Sequence, residues 1–295
     1  MATRVLLLGA GGQLGMQLAS ELSRDFDVVA LTREQLDFSN ERSLRAAVYD
    51  VSPQIVINAA AYTAVDKAES EPELARQVNA IAPGLLAEAV AKTNGWLIHY
   101  STDYVFDGSG TRPWVETDGT GPLSVYGQSK LDGELAIAAT GCKHVILRTS
   151  WVYAAEGRNF LHTMLRLGRE REKLSIVDDQ VGAPTSAEAI TDATRAVLTK
   201  VAGELPVAGG VYHLTCAGET SWCGFAKAIF AEFAARQKAP EVAPIPTEAY
   251  PTPAARPKNS RLNGEKFVGE FGFRMPGWEE ALREVAAEVM AVRQA

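Results

Sequence analysis

The stretch RVLLLGAGGQLG, from Arg4 to Gly15, combines a short apolar run with a glycine-rich turn. The run 4–8 is typical of a strand buried on both faces of a parallel sheet. Glycines follow at once, and a helix-like segment continues through Met16 to Leu22. Glycine has no Cβ, and a helix start offers free N–H groups, so this strand–turn–helix unit predicts a binding site for a dinucleotide pyrophosphate.

The glycine spacing departs from the usual dinucleotide fingerprint, because Gly9, Gly12 and Gly15 are each three residues apart. Taken alone, the turn is also compatible with a tight strand-to-helix connection that binds no ligand.

Further evidence comes from the segment YGQSK, in which Tyr126 and Lys130 are four residues apart and share one face of a predicted helix. An ammonium beside a phenol lowers the phenol pKa, so the pair predicts proton transfer to or from a carbonyl oxygen. An amphipathic surface pair without chemistry is the alternative.

Apolar runs alternate with helical patterns along the first half of the chain. Strands are predicted at 4–8, 27–31, 54–58, 96–100 and 144–147, and helices at 13–24, 41–49, 71–92 and 125–139. Such alternation predicts an α/β fold with a doubly wound parallel sheet of the Rossmann type. Ligands of such sheets bind beyond the carboxyl ends of the strands.

The strand ends therefore select further candidates. Small residues including Ala61 follow the third predicted strand, and Thr102 follows the fourth, where a hydroxyl can bind a substrate carbonyl or merely cap the strand. The second strand is followed by Thr32-Arg33, with no acidic residue directly at its end to accept a ribose 2′-hydroxyl. Arg33 is thus a candidate ligand for a 2′-phosphate, and a solvated surface charge is the alternative.

After residue 151 the pattern is looser. Helices are predicted at 160–172 and 187–199, and strands at 174–177 and 211–215. We expect residues 1–150 to form a dinucleotide-binding domain that part of 174–216 completes. Residues 151–173 and 217–295 are then expected to form mainly a smaller C-terminal substrate-binding lobe.

Bulk composition agrees with a soluble enzyme, and the cytoplasm is its expected location. The 295 residues carry a net charge of −7, which argues against a nucleic acid or an anionic membrane as the main partner. No apolar run reaches transmembrane length, and no signal-peptide pattern opens the chain. His99 and His213 lie in strand-like runs and are expected to be packed rather than catalytic.

Several longer segments carry a family resemblance. Together with the glycine turn and the Tyr126/Lys130 pair, they resemble the extended short-chain dehydrogenase/reductases and, within them, the dTDP-4-dehydrorhamnose reductase family. The segments are NAAAYTAVDKAE (58–69), STDYVF (101–106), RTSWVY (148–153), DDQVGAPT (178–185) and RPKNS (256–260). Their order along the chain makes coincidence a poor explanation.

The resemblance implies reduction of C4 of dTDP-4-dehydro-β-L-rhamnose by a nicotinamide hydride. It implies that Tyr126 protonates the C4 oxygen, that Lys130 holds the nicotinamide ribose and lowers the tyrosine pKa, and that Thr102 binds the carbonyl.

By the same resemblance and the strand-end positions, the expected substrate ligands are Asp103, Tyr104, Trp151 and Arg256. For Trp151 the alternative is an ordinary core residue, and for Arg256 a loop-anchoring salt bridge. The expected cofactor ligands are Gly9, Gly12, Gln13, Leu14, Gly15, Thr32, Arg33, Asp37, Phe38, Ala61, Tyr62, Thr63, Tyr126 and Lys130. NADPH is the expected cofactor, with NADH also accepted.

Some relatives are magnesium-dependent dimers in which glutamates surround the ion. Glu188 matches one such position, whereas Gln17 stands where a second glutamate is expected. An amide lacks the charge that Mg²⁺ prefers, which argues against the metal here and leaves the homodimer open. Two other functions also stay open: a non-catalytic regulatory subunit, and a nucleotide-sugar epimerase or dehydratase that retains its cofactor.

Overall fold

The fold is an α/β arrangement around a parallel sheet, seen in a computed structural model that describes residues 2–203 and 206–292. The strands are β1 (Arg4–Leu8), β2 (Asp27–Leu31), β3 (Ile55–Asn58), β4 (Trp96–Thr102), β5 (Lys143–Thr149), β6 (Val152–Tyr153), β7 (Lys173–Val177), β8 (Val181–Gly182), β9 (Thr185–Ser186), β10 (Gly210–His213), β11 (Thr220–Ser221) and β12 (Glu241–Ile245). The central sheet has the order β10-β5-β4-β3-β1-β2, and its strand pairs are parallel. The predicted doubly wound parallel sheet is confirmed.

Helices connect and cover these strands. They are α1 (Gln13–Leu22), α2 (Glu41–Val51), α3 (Val65–Ala68), α4 (Pro72–Arg76), α5 (Ala82–Lys92), α6 (Val125–Ala139), α7 (Phe160–Glu170), α8 (Ala187–Ala202), α9 (Trp222–Glu232), α10 (Glu265–Phe271) and α11 (Trp278–Val292). A π-helical turn, Gln77–Ile81, lies between α4 and α5. No helix in the described part of the chain is long and apolar enough to cross a membrane.

Successive residues of β1 supply the two faces of the sheet. Val5 and Leu7 pack in one core with residues of α1 and α8, whereas Leu6 and Leu8 pack in a second core with residues of α2 and α5. The continuous apolar run thus reflects burial on both sides. A third core lies outside the sheet and joins α7, α9 and α11.

The helix predicted over 71–92 is formed from residue 72 to residue 92, but not as one regular α-helix. The helix is interrupted by the π-helical turn around Asn79. Pro83 has no N–H to donate to the Asn79 carbonyl four residues earlier. A Cβ on Gly133 of α6 would lie 2.1 Å from that carbonyl oxygen, so α6 packs closely against the turn.

Two C-terminal strands have different destinations. The strand predicted at 211–215 is Gly210–His213, and it pairs with β5 in the central sheet. The strand β7 pairs instead with β12, outside that sheet. The short helix α10 packs through Phe267 and Phe271 into one of the sheet cores.

Strand register brings the predicted ligand-binding segments to one edge of the sheet. Leu8 lies beside Leu31 and beside Asn58, so the segments after β1, β2 and β3 leave the sheet together. The fourth strand continues past this level to Thr102, which lies beside Thr149 of β5.

Candidate active site

The glycine turn after β1 is tightly packed at Gly9 and Gly15 and open at Gly11 and Gly12. Gly9 has φ +83°, and a Cβ there would lie 2.5 Å from the Ala60 backbone nitrogen. A Cβ on Gly15 would lie 2.0 Å from the Gly9 carbonyl oxygen. By contrast, a Cβ on Gly11 or Gly12 would meet nothing closer than 3.5 Å, so the outer side of the turn is open.

The N-terminus of α1 follows directly from this turn. Gly12 is its N-cap residue and makes no side-chain cap, which leaves the first N–H groups of the helix to an anion. Leu14 packs toward a sheet core, and Gln13 reaches the other part of the molecule, where its Nε2 donates to the Arg158 carbonyl and its Oε1 accepts from Asn159. Both polar atoms of the Gln13 side chain therefore already have partners within the protein.

The segment after β2 holds an acidic residue that the strand-end argument overlooked. Arg33 is exposed, which is compatible with a ligand of a 2′-phosphate and with a solvated surface charge. The next residue, Glu34, has a carboxylate that accepts a hydrogen bond from the Thr32 side chain, which is the main reason that its pKa is lowered. Asp37 accepts from the Ser39 amide and hydroxyl, and Phe38 packs against a sheet core. Glu34 is thus the first acidic residue after the strand, next to Arg33.

The segment after β3 is fixed by Asn79 of the π-helical turn. Its Oδ1 accepts from the Tyr62 amide at 2.8 Å, and its Nδ2 donates to the Tyr62 carbonyl at 3.0 Å and to the Ser129 hydroxyl at 3.0 Å. The Tyr62 hydroxyl donates to Glu71. Ala61 is half-buried and Thr63 is exposed. The tie places this segment beside α6.

Tyr126 lies in the first turn of α6, which Ser124 caps by accepting from the Gly127 amide. Burial raises the pKa of Tyr126 to about 12, and the nearby Thr102 hydroxyl only partly opposes this rise. The prediction that its pKa is lowered was therefore wrong, because burial outweighs the effect of the Thr102 hydroxyl. At neutral pH the phenol is protonated, which is the form that can donate a proton to a carbonyl oxygen.

Lys130 is buried one turn further along α6. Its Nζ donates to the Tyr100 carbonyl at 2.6 Å and lies 3.2 Å from Nε2 of His99. Burial lowers the pKa of Lys130 to about 8, and the negative charge of Glu134 opposes this shift. Both protonation states are thus accessible near neutral pH.

The end of β4 brings three polar side chains beside Tyr126. The Thr102 hydroxyl donates to Asp103 Oδ1 at 3.0 Å and accepts from the Tyr104 amide. Burial raises the pKa of Asp103 to about 6, and its Oδ2 has no hydrogen-bond partner among residues 2–203 and 206–292. The Tyr104 ring packs edge-on against that of Tyr126, with centroids 5.6 Å apart. Hydroxyls and a carboxyl oxygen therefore converge beside the phenol.

Arg256 forms the salt bridge that was considered as its alternative role. Its Nη1 and Nη2 donate to the two Asp66 oxygens at 3.0 and 2.9 Å, and Nη1 also contacts Thr252 and the Ala254 carbonyl. Arg256 also lies near enough to Tyr104 to influence its pKa. The guanidinium is thus beside the cluster, but it already has an anionic partner.

Trp151 is not an ordinary core residue. It is half-buried and has φ +51°, a left-handed conformation that is strained for a residue with a side chain. Its ring stacks on that of Trp222 with centroids 3.8 Å apart. Trp222, which the sequence did not single out, therefore covers one face of the indole that was expected to be a substrate wall.

Glu188 lies in the first turn of α8, where burial raises its pKa and the charge of Glu288 adds to the effect. Its Oε2 is buried and lacks a hydrogen-bond partner in the described part of the chain. No group of three or more His, Cys, Asp or Glu side chains that could hold a metal ion occurs within residues 2–203 and 206–292. This donor set does not fit a magnesium site formed by one chain.

A buried ion pair supports α6 from behind, and sequence reasoning missed it. Arg148 of β5 donates through Nε and Nη2 to the two Glu134 oxygens at 2.9 and 2.6 Å. The Ser101 hydroxyl donates to Glu134 Oε1 at 2.5 Å. In the sequence, only the four-residue spacing from Lys130 could have pointed to Glu134, because it puts both residues on one face of α6. The pair links α6 to the strand ends that carry Thr102 and Thr149.

Comparison with known proteins agrees with this arrangement. The family profile described as RmlD substrate binding domain matches residues 3–291. The dTDP-4-dehydrorhamnose reductase of Salmonella typhimurium is 46% identical over 97% of this chain and 97% of its own length. The protein of that name from Burkholderia thailandensis is 48% identical over 95% of this chain and 96% of its own length.

A solved structure shows the same fold at full length. The crystal structure of dTDP-4-dehydrorhamnose reductase from Bacillus anthracis in complex with NADP has a TM-score of 0.91 and 38% identity, and it covers 98% of this chain and 100% of its own chain. The resemblance inferred from the sequence motifs is confirmed. The chain belongs to the RmlD family of extended short-chain dehydrogenase/reductases, whose relatives compared above are dTDP-4-dehydrorhamnose reductases.

Proposed function

We propose that this protein reduces dTDP-4-dehydro-β-L-rhamnose to dTDP-L-rhamnose with NADPH. The observation that carries the proposal is near-full-length identity of 46–48% to reductases of that name. The presence of Thr102, Tyr126 and Lys130 at the carboxyl edge of the sheet supports it, because a chain that only binds nucleotides does not need this set.

The bound cofactor supplies a hydride to C4 of the sugar. As the C4–O π bond breaks, its electron pair moves to the oxygen, and Tyr126 provides the proton that completes the alcohol. Thr102 binds the carbonyl oxygen and orients it toward the phenol. Lys130 then returns a proton to the tyrosinate. Burial keeps Tyr126 protonated before the reaction, which suits reduction rather than oxidation.

We assign the sugar nucleotide to the cleft beside this set. Asp103 and Tyr104 contact the deoxysugar, and Trp151, held by its stack on Trp222, lines the site. The Arg256 guanidinium is already paired with Asp66. To bind the diphosphate, it must either contact both anions at once or leave the Asp66 carboxylate. Residues 1–150 form the dinucleotide-binding domain together with part of 174–216, namely α8 and β10, and α7, α9 and α11 contribute mainly to the substrate lobe.

NADPH is the preferred cofactor and NADH is also used. The structure of a relative with bound NADP supports the first choice. Arg33 can attract a 2′-phosphate, whereas the neighbouring Glu34 is placed to accept a ribose 2′-hydroxyl. We place the enzyme in the cytoplasm, where it acts as a monomer or as a homodimer.

The proposal is tested by mixing the purified protein with NADPH and dTDP-4-dehydrorhamnose and following the absorbance of the reduced nicotinamide. We expect absorbance to fall only when protein and sugar are both present. The matched control is Tyr126→Phe, which keeps the ring and removes the proton, and its turnover should fall at least about a hundredfold. Sugar conversion without loss of NADPH absorbance would instead indicate an epimerase or dehydratase. Binding of NADPH without any conversion would indicate a regulatory protein.

A further inference from the structure

A chain of polar side chains runs from Lys130 through β4 to the end of β3. His99 is fully buried on β4, and its Nε2 lies 3.2 Å from the Lys130 Nζ. Its Nδ1 lies 3.1 Å from the amide nitrogen of Asn58, which is also buried at the end of β3. Neither Asn58 nor His99 has a role in the proposed reaction, although both have their polar atoms directed along one line to Lys130.

Hydrogen-bond partners determine which atoms in this chain donate. The Ala60 amide can only donate, and it lies 3.2 Å from the Asn58 Oδ1, so the other end of the Asn58 amide, its NH₂ group, faces His99. That NH₂ group donates to His99 Nδ1, which must then carry a lone pair. A neutral imidazole has one N–H, and it is consequently on Nε2, pointing at the Lys130 nitrogen.

This arrangement matches an amine better than an ammonium. An ammonium has no lone pair, so it would oppose one donor with another at His99 Nε2. A neutral Lys130 accepts from His99 and still donates to the Tyr100 carbonyl, 2.6 Å away. Protonation of His99 would not relieve the conflict, because an imidazolium carries an N–H on both ring nitrogens, and burial holds the His99 pKa well below its usual range.

We propose that Asn58 and His99 are positioning residues that favour the neutral amine of Lys130 by holding the imidazole as its Nε2–H tautomer. The inference rests on the proposed reductase function for its purpose. After reduction, the tyrosinate must regain a proton. Lys130 can supply that proton only as the ammonium, and the ammonium gives it up more readily because the amine that remains accepts a hydrogen bond from His99. Protonation of Lys130 requires the imidazole tautomer and the Asn58 amide to change together.

Other charged groups act on this chain from neighbouring elements. From α6, Glu134 favours the ammonium form of Lys130, and Arg148 of β5 binds Glu134 directly. On the imidazole, the charge of His144 on β5 acts in the same direction as that of Lys130. Tyr126, on the same helix as Lys130, is protonated at neutral pH. The variants below leave all of these groups in place.

Two substitutions reverse the predicted polarity with little change in shape. Asn58→Asp keeps an acceptor for the Ala60 amide and offers a second carboxylate oxygen to His99, which fixes the proton on Nδ1 and frees Nε2 to accept from an ammonium. His99→Gln replaces the fixed donor by an amide that can present its oxygen to Lys130. The matched control is His213→Gln, because His213 is an equally buried imidazole in the same sheet, on β10.

The experiment is an NMR pH titration of the ligand-free protein labelled with ¹³C at the lysine ε-carbons, with the Lys130 signal assigned by its loss in Lys130→Met. For the unmodified protein we expect a midpoint of about 8. Asn58→Asp should raise it by at least about one unit, the effect of an added opposite charge, and His99→Gln by at least about half a unit. His213→Gln should leave it unchanged.

A folded Asn58→Asp or His99→Gln protein whose Lys130 midpoint matches that of the His213→Gln control overturns the proposal, as does a downward shift. If one of the two fails to fold, as shown by circular dichroism, the other carries the test. The readout needs neither cofactor nor sugar. A protein without reductase activity that nevertheless shows these shifts would refute the proposed function and leave this inference standing.

Discussion

Gly12→Ala should separate cofactor binding from folding. The backbone of Gly12 has φ −83° and ψ 164°, which alanine adopts without strain. An added Cβ would meet only the Gly9 carbonyl oxygen, at 3.5 Å, which is ordinary contact. We therefore expect the free energy of unfolding to change by less than about 1 kcal/mol.

The effect on the cofactor should be larger, because the methyl group occupies the open side of the turn. If it prevents one charge-assisted hydrogen bond from a helix N–H to the pyrophosphate, the loss is about 1.5–3 kcal/mol. This corresponds to a roughly ten- to hundredfold weaker affinity for NADPH. Urea denaturation measures the first quantity, and titration calorimetry with NADPH measures the second.

Gly15→Ala is the matched control, because it adds the same atom to the same turn on its packed side. The Cβ would lie 2.0 Å from the Gly9 carbonyl oxygen, so the backbone must shift, and we expect a loss of about 1–3 kcal/mol in unfolding free energy. NADPH affinity within twofold of the unmodified protein in Gly12→Ala would show that the pyrophosphate does not bind at this helix start.

Three further predictions concern charge. We expect a roughly three- to thirtyfold preference for NADPH over NADH in kcat/KM, and Arg33→Ala should remove most of it while sparing the NADH rate; an unchanged ratio would make Arg33 only a surface charge. Glu134→Gln leaves Arg148 buried without a counter-charge, so urea denaturation should show a loss of about 3–5 kcal/mol, and a loss below about 1 kcal/mol would contradict the buried pair. Burial raises the pKa of Asp103 from 3.8 to about 6, so the neutral carboxyl stabilises the folded protein fully below pH 4, and this stabilisation is lost as the pH rises through about 6. The free energy of unfolding of Asp103→Asn should therefore rise by up to about 3 kcal/mol relative to that of the unmodified protein over this window. Parallel stability–pH curves for the two proteins would refute the assignment.

Much of the fold could be predicted because a parallel strand that is buried on both faces appears in the sequence as a continuous apolar run. The strand Arg4–Leu8 and the start of α1 at Gln13 were located correctly, since a glycine turn marks the boundary. The π-helical turn was not predicted, because it depends on how α6 packs against Asn79. Periodicity carries no information about such a contact.

The candidate site was predictable only to the extent that it follows from strand ends and helical spacing. These rules found Thr102, Tyr126 and Lys130, which the structure brings to one edge of the sheet. They could not give the direction of the Tyr126 pKa shift, because burial in a cleft is a property of the whole fold. Likewise, Arg256 and Asp66 are separated by 190 positions, so their ion pair is not a sequence signal.

The central claim is that a hydride passes from NADPH to C4 of the sugar nucleotide. The most direct measurement is to supply NADPH deuterated at the transferable position of the nicotinamide and to examine the product by mass spectrometry and ¹H NMR. We expect one deuterium per product molecule, located at C4, with one cofactor oxidised for each sugar reduced. A converted sugar without deuterium at C4, or with no net oxidation of the cofactor, would contradict the claim.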